Sequence, residues 1–477
     1  MVDSVYRFRS TNALLDGFHE LQNQEIYFAS PTELNDPLEG YKDLSWIGDE
    51  IAWKNLLRHY LLCLMQAILR TLENGPNYQV TPETLPVEMI DEDLQHEVRK
   101  VFDEICTRVF GDPELALLPG LLAEHSSRMS RNELLSLLWP IHSRLFTLVC
   151  TSLQPEHPIH AIDASFRERG SNPLRLKESF AAFKALSEEH TNSTDIVEAM
   201  TSRMVSGIVQ TMFILKFNEA NQQHDAAWRI IASTFPEIYL NSLDRLLYSD
   251  WYTACFVAKP SQAAMWGHYG DSHSGVCLKF KTSALSSGLP ALTLRHLVGT
   301  CGSSKNMKPV YKFGPLELHE VRYQDRYAEL DFFRSLGKLT HRQLAFWFRG
   351  DNGVFSKTGM DLMQESVEWR QAYWENFHNA VTTKLKDWQY EQEYRITVQS
   401  SADCSDGTSR KLQYRFEDLQ GIIFGMKTST QDKVEIVRII QEKCKGTGRS
   451  DFVIYQTEYS RRTGRIEISS WDLVKLV

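Results

Sequence analysis

Two kinds of hydrophobic pattern alternate along this chain, and their order constrains the fold more than any other feature. Between residues 45 and 250 apolar residues recur at helical spacing and β-branched runs are scarce, whereas strand-like segments lie on both sides. Upstream, Val5-Tyr-Arg-Phe and Glu25-Ile-Tyr-Phe-Ala read as strands flanking a helix over residues 13–21. Ser30-Pro31 opens a further helical turn, which Asn35-Asp36-Pro37 ends, because a residue before proline is pushed out of the helical region. Downstream, Trp251–Val257 and residues 275–280, 317–323, 393–398, 421–424, 452–455 and 465–469 read as strands, and residues 325–386 return to a helical pattern rich in Trp and Phe. The expected fold is therefore α+β. Its mixed, mainly antiparallel sheet core is assembled discontinuously from residues 1–44, 251–324 and 387–477, with a helical lobe at 45–250 and a second helical insertion at 325–386. Within the lobe, Ile196, Met200, Met204, Ile208 and Met212 fall four apart with Val197, Val205, Val209 and Phe213 beside them. This stripe is expected to be buried, since leaving it wet costs roughly 25 cal/mol per Å².

Charge and cysteine usage narrow the class. Lys and Arg number 52 against 61 Asp and Glu, a net of −9, which argues against a protein that coats nucleic acid and leaves room for a local basic patch. The first residues carry Asp3, Arg7 and Arg9 and no apolar signal core, and apolar stretches such as 61–72 include Gln66 and Arg70, so no membrane association is expected. Eight cysteines without a C-x-x-C pair read as reduced thiols of a cytoplasmic protein. A P-loop, a Gly-x-Gly-x-x-Gly turn after a strand, a nucleophile elbow and a zinc-binding H-E-x-x-H helix are all missing from the sequence.

Three polar constellations remain. The first joins Tyr6-Arg7-Phe8-Arg9 with Asn35-Asp36-Pro37-Leu38-Glu39, the latter equally readable as an Asx-type turn. The second runs from Met265 through Trp266, His268, Tyr269, Asp271 and His273 to Gly275; its imidazoles and carboxylate suit metal binding or proton shuttling, or simply hydrogen-bond the turn while Trp266 is buried. The third is Lys386-Asp-Trp-Gln-Tyr-Glu391-Gln-Glu393-Tyr-Arg395. If extended, it places Glu391 and Glu393 on one side, where mutual repulsion favours an elevated pKa, and as a solvated strand edge it carries no chemistry.

Together these segments resemble the bacterial family DUF2971: the opening Tyr6–Arg9 with 26–39, the Trp-Gly-His-Tyr segment at 265–280, the Trp-x-Tyr-Glu-x-Glu-Tyr-Arg segment at 388–395 and the Ile-Ile-Phe-Gly strand at 422–425. More distantly, their order resembles an ADP-ribosyltransferase-like fold, although no middle-strand Ser-Thr-Ser is present. That resemblance implies an effector of phage defence or a toxin system that uses NAD as substrate. It further implies Glu393, Glu391 and His268 in catalysis, and Tyr6, Arg7, Tyr27, Asn35, Asp36 and Trp266 around the cofactor, with no resident metal. Tyr6, Tyr27, Trp266 and Tyr394 are expected to share one cleft, and Glu393→Gln to abolish activity while leaving folding intact. The acceptor would be a protein or a nucleic acid, with a partner protein on the helical lobe. Two alternatives stand beside this reading: a metal-dependent nuclease or phosphodiester hydrolase using Asp36, Glu39, His268, Asp271 and His273, and a non-enzymatic sensor.

Overall fold

A computed structural model describes residues 2–75, 78–125, 127–153, 173–178, 180–181, 193–218, 226–303, 306–399 and 407–476. The chain is α+β with mixed, mostly antiparallel sheets and, among the described residues, no closed barrel. It divides into two compact units, one of Met1–Tyr41, Asp250–Tyr327 and His378–Val477, the other of Lys42–Ser249 and Ala328–Phe377. The stretch 325–386 is thus shared out: residues 328–377 run with the helical unit, and residues 325–327 and 378–386 run with the sheet unit.

The strands of the sheet unit are, in chain order, β1 (Ser4–Arg9), β2 (Glu25–Tyr27), β3 (Trp251–Val257), β4 (Val276–Lys281), β5 (Ser283–Ala284), β6 (Pro290–Ser303), β7 (Asn306–Glu317), β8 (His319–Glu320), β9 (Arg322–Gln324), β10 (Thr383–Leu385), β11 (Glu393–Gln399), β12 (Lys411–Tyr414), β13 (Leu419–Phe424), β14 (Val453–Ser460) and β15 (Arg465–Ser470). The main sheet has the order β8-β11-β3-β1-β4-β13-β14-β15, and within it β13 and β14 are parallel. The helix Thr430–Thr447 makes that parallel crossover; Ser429 caps its start by accepting from the Asp432 N–H, and Gly448 ends it in a left-handed conformation. A second sheet runs β2-β12-β6-β5, with β7 on the far side of β6, and β9 pairs with β10 separately. Alternation along the strands sends Val5, Phe256, Leu278, Phe280 and Ile422 to one face, where they share a core with Ile26, Leu294, Leu412 and Tyr414 of the second sheet. The opposite face buries a smaller cluster of Phe8, Val257, Met265, Trp266, Cys277 and Ile423.

The first forty residues are less helical than their sequence pattern predicts. Residues 13–17 form a single wide turn, Glu20–Asn23 one helical turn, and Pro31–Glu33 a short 3₁₀ turn closed by a Ser30–Glu33 capping box. Leu14, Leu15 and Leu21 still reach the core.

The helical unit is built on the helices Glu50–Asn74, His96–Phe110, Arg131–Leu153, Ser193–Asn218 and Phe235–Ser242. Trp53, Tyr60, Phe102, Phe146, Tyr239 and Trp347 fill its centre. Arg131–Leu153 is long and apolar enough to cross a membrane by length and composition, and half of that apolar window is buried inside the protein. The stripe on Ser193–Asn218 departs from expectation. Val197 is buried, but Met200, Met204, Val209 and Phe213 are 50%, 43%, 43% and 67% exposed, while the side chains of Ile196 and Met212 lie outside the described residues. Glu198 ties the start of this helix to Ser130 and Asn132, and among its described side chains burial is confined to Val197 and Thr201. Helical spacing defines a face; it does not guarantee a neighbour along the whole face.

Candidate active site

In the main sheet β1 runs beside β4 along its full length, from Ser4↔Lys281 to Arg9↔Val276, yet it is registered with β3 at Tyr6↔Val257 alone. Past that pair the strands splay, and a cleft of about 690 Å³ opens, lined by β1, β3, the end of β2 and the start of β11. Arg7 spans the gap. Its guanidinium donates to the Cys255 carbonyl on β3 at 3.2 Å and to the Tyr27 carbonyl on β2 at 2.9 Å, replacing ladder bonds that the splay removes. Burial, with Arg9 nearby, brings its pKa down to about 10.

The cleft floor is an ion cluster. Lys384 on β10 donates to Glu391 at 2.7 Å and lies 2.8 Å from Glu393, and the Tyr269 hydroxyl donates to the other Glu391 oxygen at 2.5 Å. Arg395 holds Glu393 at 2.8 Å and forms a two-pronged pair with Glu39, and it also donates to the Val381 carbonyl. Glu39, Glu391, Glu393, Lys384 and Arg395 therefore set three carboxylates against two cations, and all five are nearly inaccessible to solvent. Burial pushes the Glu391 carboxyl above the ordinary range and outweighs Lys384. Burial acts on Glu393 as well, but Arg395 and Lys384 overcome it and hold that carboxyl well below the usual range. The Cys255 thiol beside them is pushed far up by burial and by Glu393, so it stays protonated and is no nucleophile. Higher on the walls, Arg9 pairs with buried Glu20, and Arg410 lies over the Tyr27 ring and bonds Glu33 at 2.7 Å.

Glu391, Glu393, Tyr6, Arg7, Tyr27 and Asn35 line this cleft; His268, Asp36 and Trp266 do not. Trp266 is fully buried, its indole N–H donating to the Pro260 carbonyl at 2.7 Å and its ring set edge-on to Phe8. His268 is exposed, beside Tyr390. Asp36 is buried and accepts from the Leu38 N–H at 2.9 Å, an Asx turn. Tyr394 packs against the core on the face opposite Glu393 and Arg395, as strand alternation requires. The expected cleft of four aromatics is therefore reduced to Tyr6 and Tyr27. The carboxylate pair is also not arranged as expected. Gln392 is left-handed at φ 46° and ψ 52°, so Glu391 closes a 3₁₀ turn while Glu393 opens β11, and a backbone reversal brings the two together.

Packing explains Gly275 of the second constellation and Gly425, which lies against it. A Cβ on Gly275 would lie 2.5 Å from the Arg9 carbonyl oxygen, and one on Gly425 would lie 2.2 Å from that of His273. Asp271, Ser272 and His273 are consecutive left-handed residues inside this turn. Among the described residues no three His, Cys, Asp or Glu side chains are grouped so as to hold a metal ion, and Glu39 is committed to Arg395. The five-residue metal reading therefore has no site to stand on. Residues 265–396 match the family model of DUF2971, a protein of unknown function. The chain carries a DUF2971 domain. That matched span holds Tyr269, Lys384, Glu391, Glu393 and Arg395, whereas Arg7, Tyr27 and Glu39 lie upstream of it. No curated protein and no solved structure matches the chain.

Reading residue types alone missed Lys384, Tyr269 and Arg410 as cleft residues. Arg395, two places after Glu393 on one strand, was the partner that alternation could have pointed to.

Proposed function

We propose that the DUF2971 cleft binds a nicotinamide dinucleotide and cleaves or transfers its ADP-ribosyl group, in the manner of ADP-ribosyltransferase-like enzymes. One observation carries the reading: Arg7 and Tyr27 near the start of the chain and the Glu391–Glu393 pair, more than 360 residues later, line one cleft over a carboxylate-rich floor. Breaking the ribose–nicotinamide bond sends its electron pair to the ring nitrogen, which loses its positive charge, and leaves an oxocarbenium-like ribose. An ionised carboxylate in a water-poor site stabilises that cation. Glu393, held ionised by Arg395 and Lys384, suits this role. Glu391, whose carboxyl is raised, suits the proton acceptor that activates the attacking hydroxyl of water or of a protein or nucleic-acid acceptor. With both ionised, the five-group cluster carries one net negative charge, and protonation of Glu391 neutralises it. Tyr6, Phe8 and Tyr27 offer flat walls for the rings, and Lys411, beside the Arg9–Glu20 and Arg410–Glu33 pairs, supplies positive charge for the diphosphate.

The test is NAD consumption and transfer of label from NAD by the full chain. Glu391→Gln should lower the rate about a hundredfold and remove the acid limb of the pH profile, along which activity falls as Glu391 takes up its proton. Unchanged turnover in Glu391→Gln, or a wild-type chain that neither consumes NAD nor gains thermal stability from it, would overturn the proposal. Growth arrest on induced expression, lost in the same variant, would support an effector role.

A further inference from the structure

The strands β6 and β7 continue well beyond the sheet they spring from. At its base β6 is paired with β5 and, through Leu294 and Arg295, with β12. From His296 to Ser303 its described partner is β7 alone, so an antiparallel two-stranded ribbon roughly 25 Å long extends outward. A bulge between Leu297 and Gly299 interrupts its register.

The ribbon has an unusual side-chain content for this chain. Between residues 291 and 316 there is no Asp or Glu, in a protein whose net charge is −9. Arg295, Lys308 and Lys312 are exposed. Alternation places Arg295, Leu297, Tyr311 and Phe313 on one face, where Arg295 lies over the Tyr311 ring at 5.3 Å and Arg415 lies over Phe313 at 5.0 Å. His296, Lys312 and Lys308 fall on the other face. Leu297, Val298, Tyr311 and Phe313 are all about two-fifths to half exposed, so the ribbon shows water both cations and apolar surface.

We infer that this ribbon docks into the major groove of a B-form DNA duplex. The groove is about 12 Å wide and admits a two-stranded β-ribbon, and phosphates on its two rims would meet Arg295, Lys308 and Lys312. An acid-free ribbon in an acidic protein concentrates the attraction at one projection, which orients the approach of a polyanion. The exposed Leu297 and Tyr311 would lie against base edges and sugars. The inference is independent of NAD chemistry and is tested without NAD.

The experiment is fluorescence anisotropy of the full chain with a fluorescein-labelled 20-base-pair DNA duplex between 50 and 200 mM KCl. Each lysine–phosphate contact adds about 0.9 to the salt slope, so Lys308→Gln/Lys312→Gln should flatten the slope by about 2 and weaken binding at 50 mM about tenfold or more. Both side chains are exposed, so the melting temperature should not move, and Lys100→Gln in the helical unit should bind as wild type. The inference is overturned if wild type does not bind the duplex, if the double variant binds equally well, or if the single strand of the same sequence binds more tightly. Ribbon-dependent self-association in sedimentation without duplex binding would instead assign the ribbon to contact between copies of this chain, and overturns it too.

Discussion

Glu391 and Glu393 stand two residues apart, share Lys384, and still differ in what each can lose. Glu393 accepts from Arg395 and faces Lys384, and it is fully buried. Removing its charge takes away the one carboxylate that Arg395 and Lys384 share, leaving Arg395 with Glu39 and Lys384 with Glu391 in a low-dielectric interior, where breaking a buried pair costs roughly 3–5 kcal/mol. Glu393→Gln should therefore lower the melting temperature markedly, contrary to the expectation from sequence that folding survives it. Glu391→Gln keeps the Tyr269 hydrogen bond and leaves Lys384 with Glu393, so its melting temperature should move much less. Thermal denaturation of the two variants side by side checks this, and equal losses would mean that the cluster does not share its charges as the geometry indicates.

At the scale of elements, the helical unit buries two histidines between its helices. His59 bonds the Tyr239 hydroxyl through one ring nitrogen and the Val87 carbonyl through the other; His142 likewise joins Tyr60 and the Ile231 carbonyl. Burial lowers both to about 4 from an ordinary 6.5, so the folded state binds protons less readily than the unfolded chain. Their contribution is complete above about pH 6.5 and is lost as pH falls toward 4, about 3 kcal/mol for each. Amide protection in Glu50–Asn74 and Arg131–Leu153, corrected for intrinsic exchange, should decline across that window; flat protection would contradict it. Much of this level was legible in the sequence, because β3 and β13 are dense in aromatic or β-branched residues and the helices repeat their apolar positions. What was not legible depended on distance or on single backbone angles. Glu39 and Arg395 lie 356 residues apart, Lys384 sits on a strand of three residues, and the left-handed Gln392 breaks an alternation that the letters alone suggest. The exposed part of Ser193–Asn218 has the periodicity of a buried helix, and no local pattern distinguishes the two.

For the whole molecule, the sheet unit is interrupted twice by segments of the helical unit; the ends of the first interruption lie near each other, and the second is flanked by the paired strands β9 and β10. A Cβ on Gly40 would meet the Trp251 ring at 2.7 Å, and the rings of Tyr41 and Tyr327 are 5.3 Å apart. A chain in which Lys42–Ser249 and Ala328–Phe377 are each replaced by a short Gly/Ser linker should therefore keep the sheet unit folded. Circular dichroism and a cooperative melt check this, and a non-cooperative melt would show that the sheet unit needs the helices. The same interleaving governs how the protein comes into being. β1 leaves the ribosome early, but its neighbours β3 and β4 follow only after residue 250, a delay of about 12–50 s at 5–20 residues per second. Throughout that delay the strand bearing Arg7 has no sheet to join. Any product of early termination before Glu393 contains the wall of the cleft without its floor. Synthesis therefore passes through no partly working cleft: whatever the cleft does begins when the last third of the chain has been made.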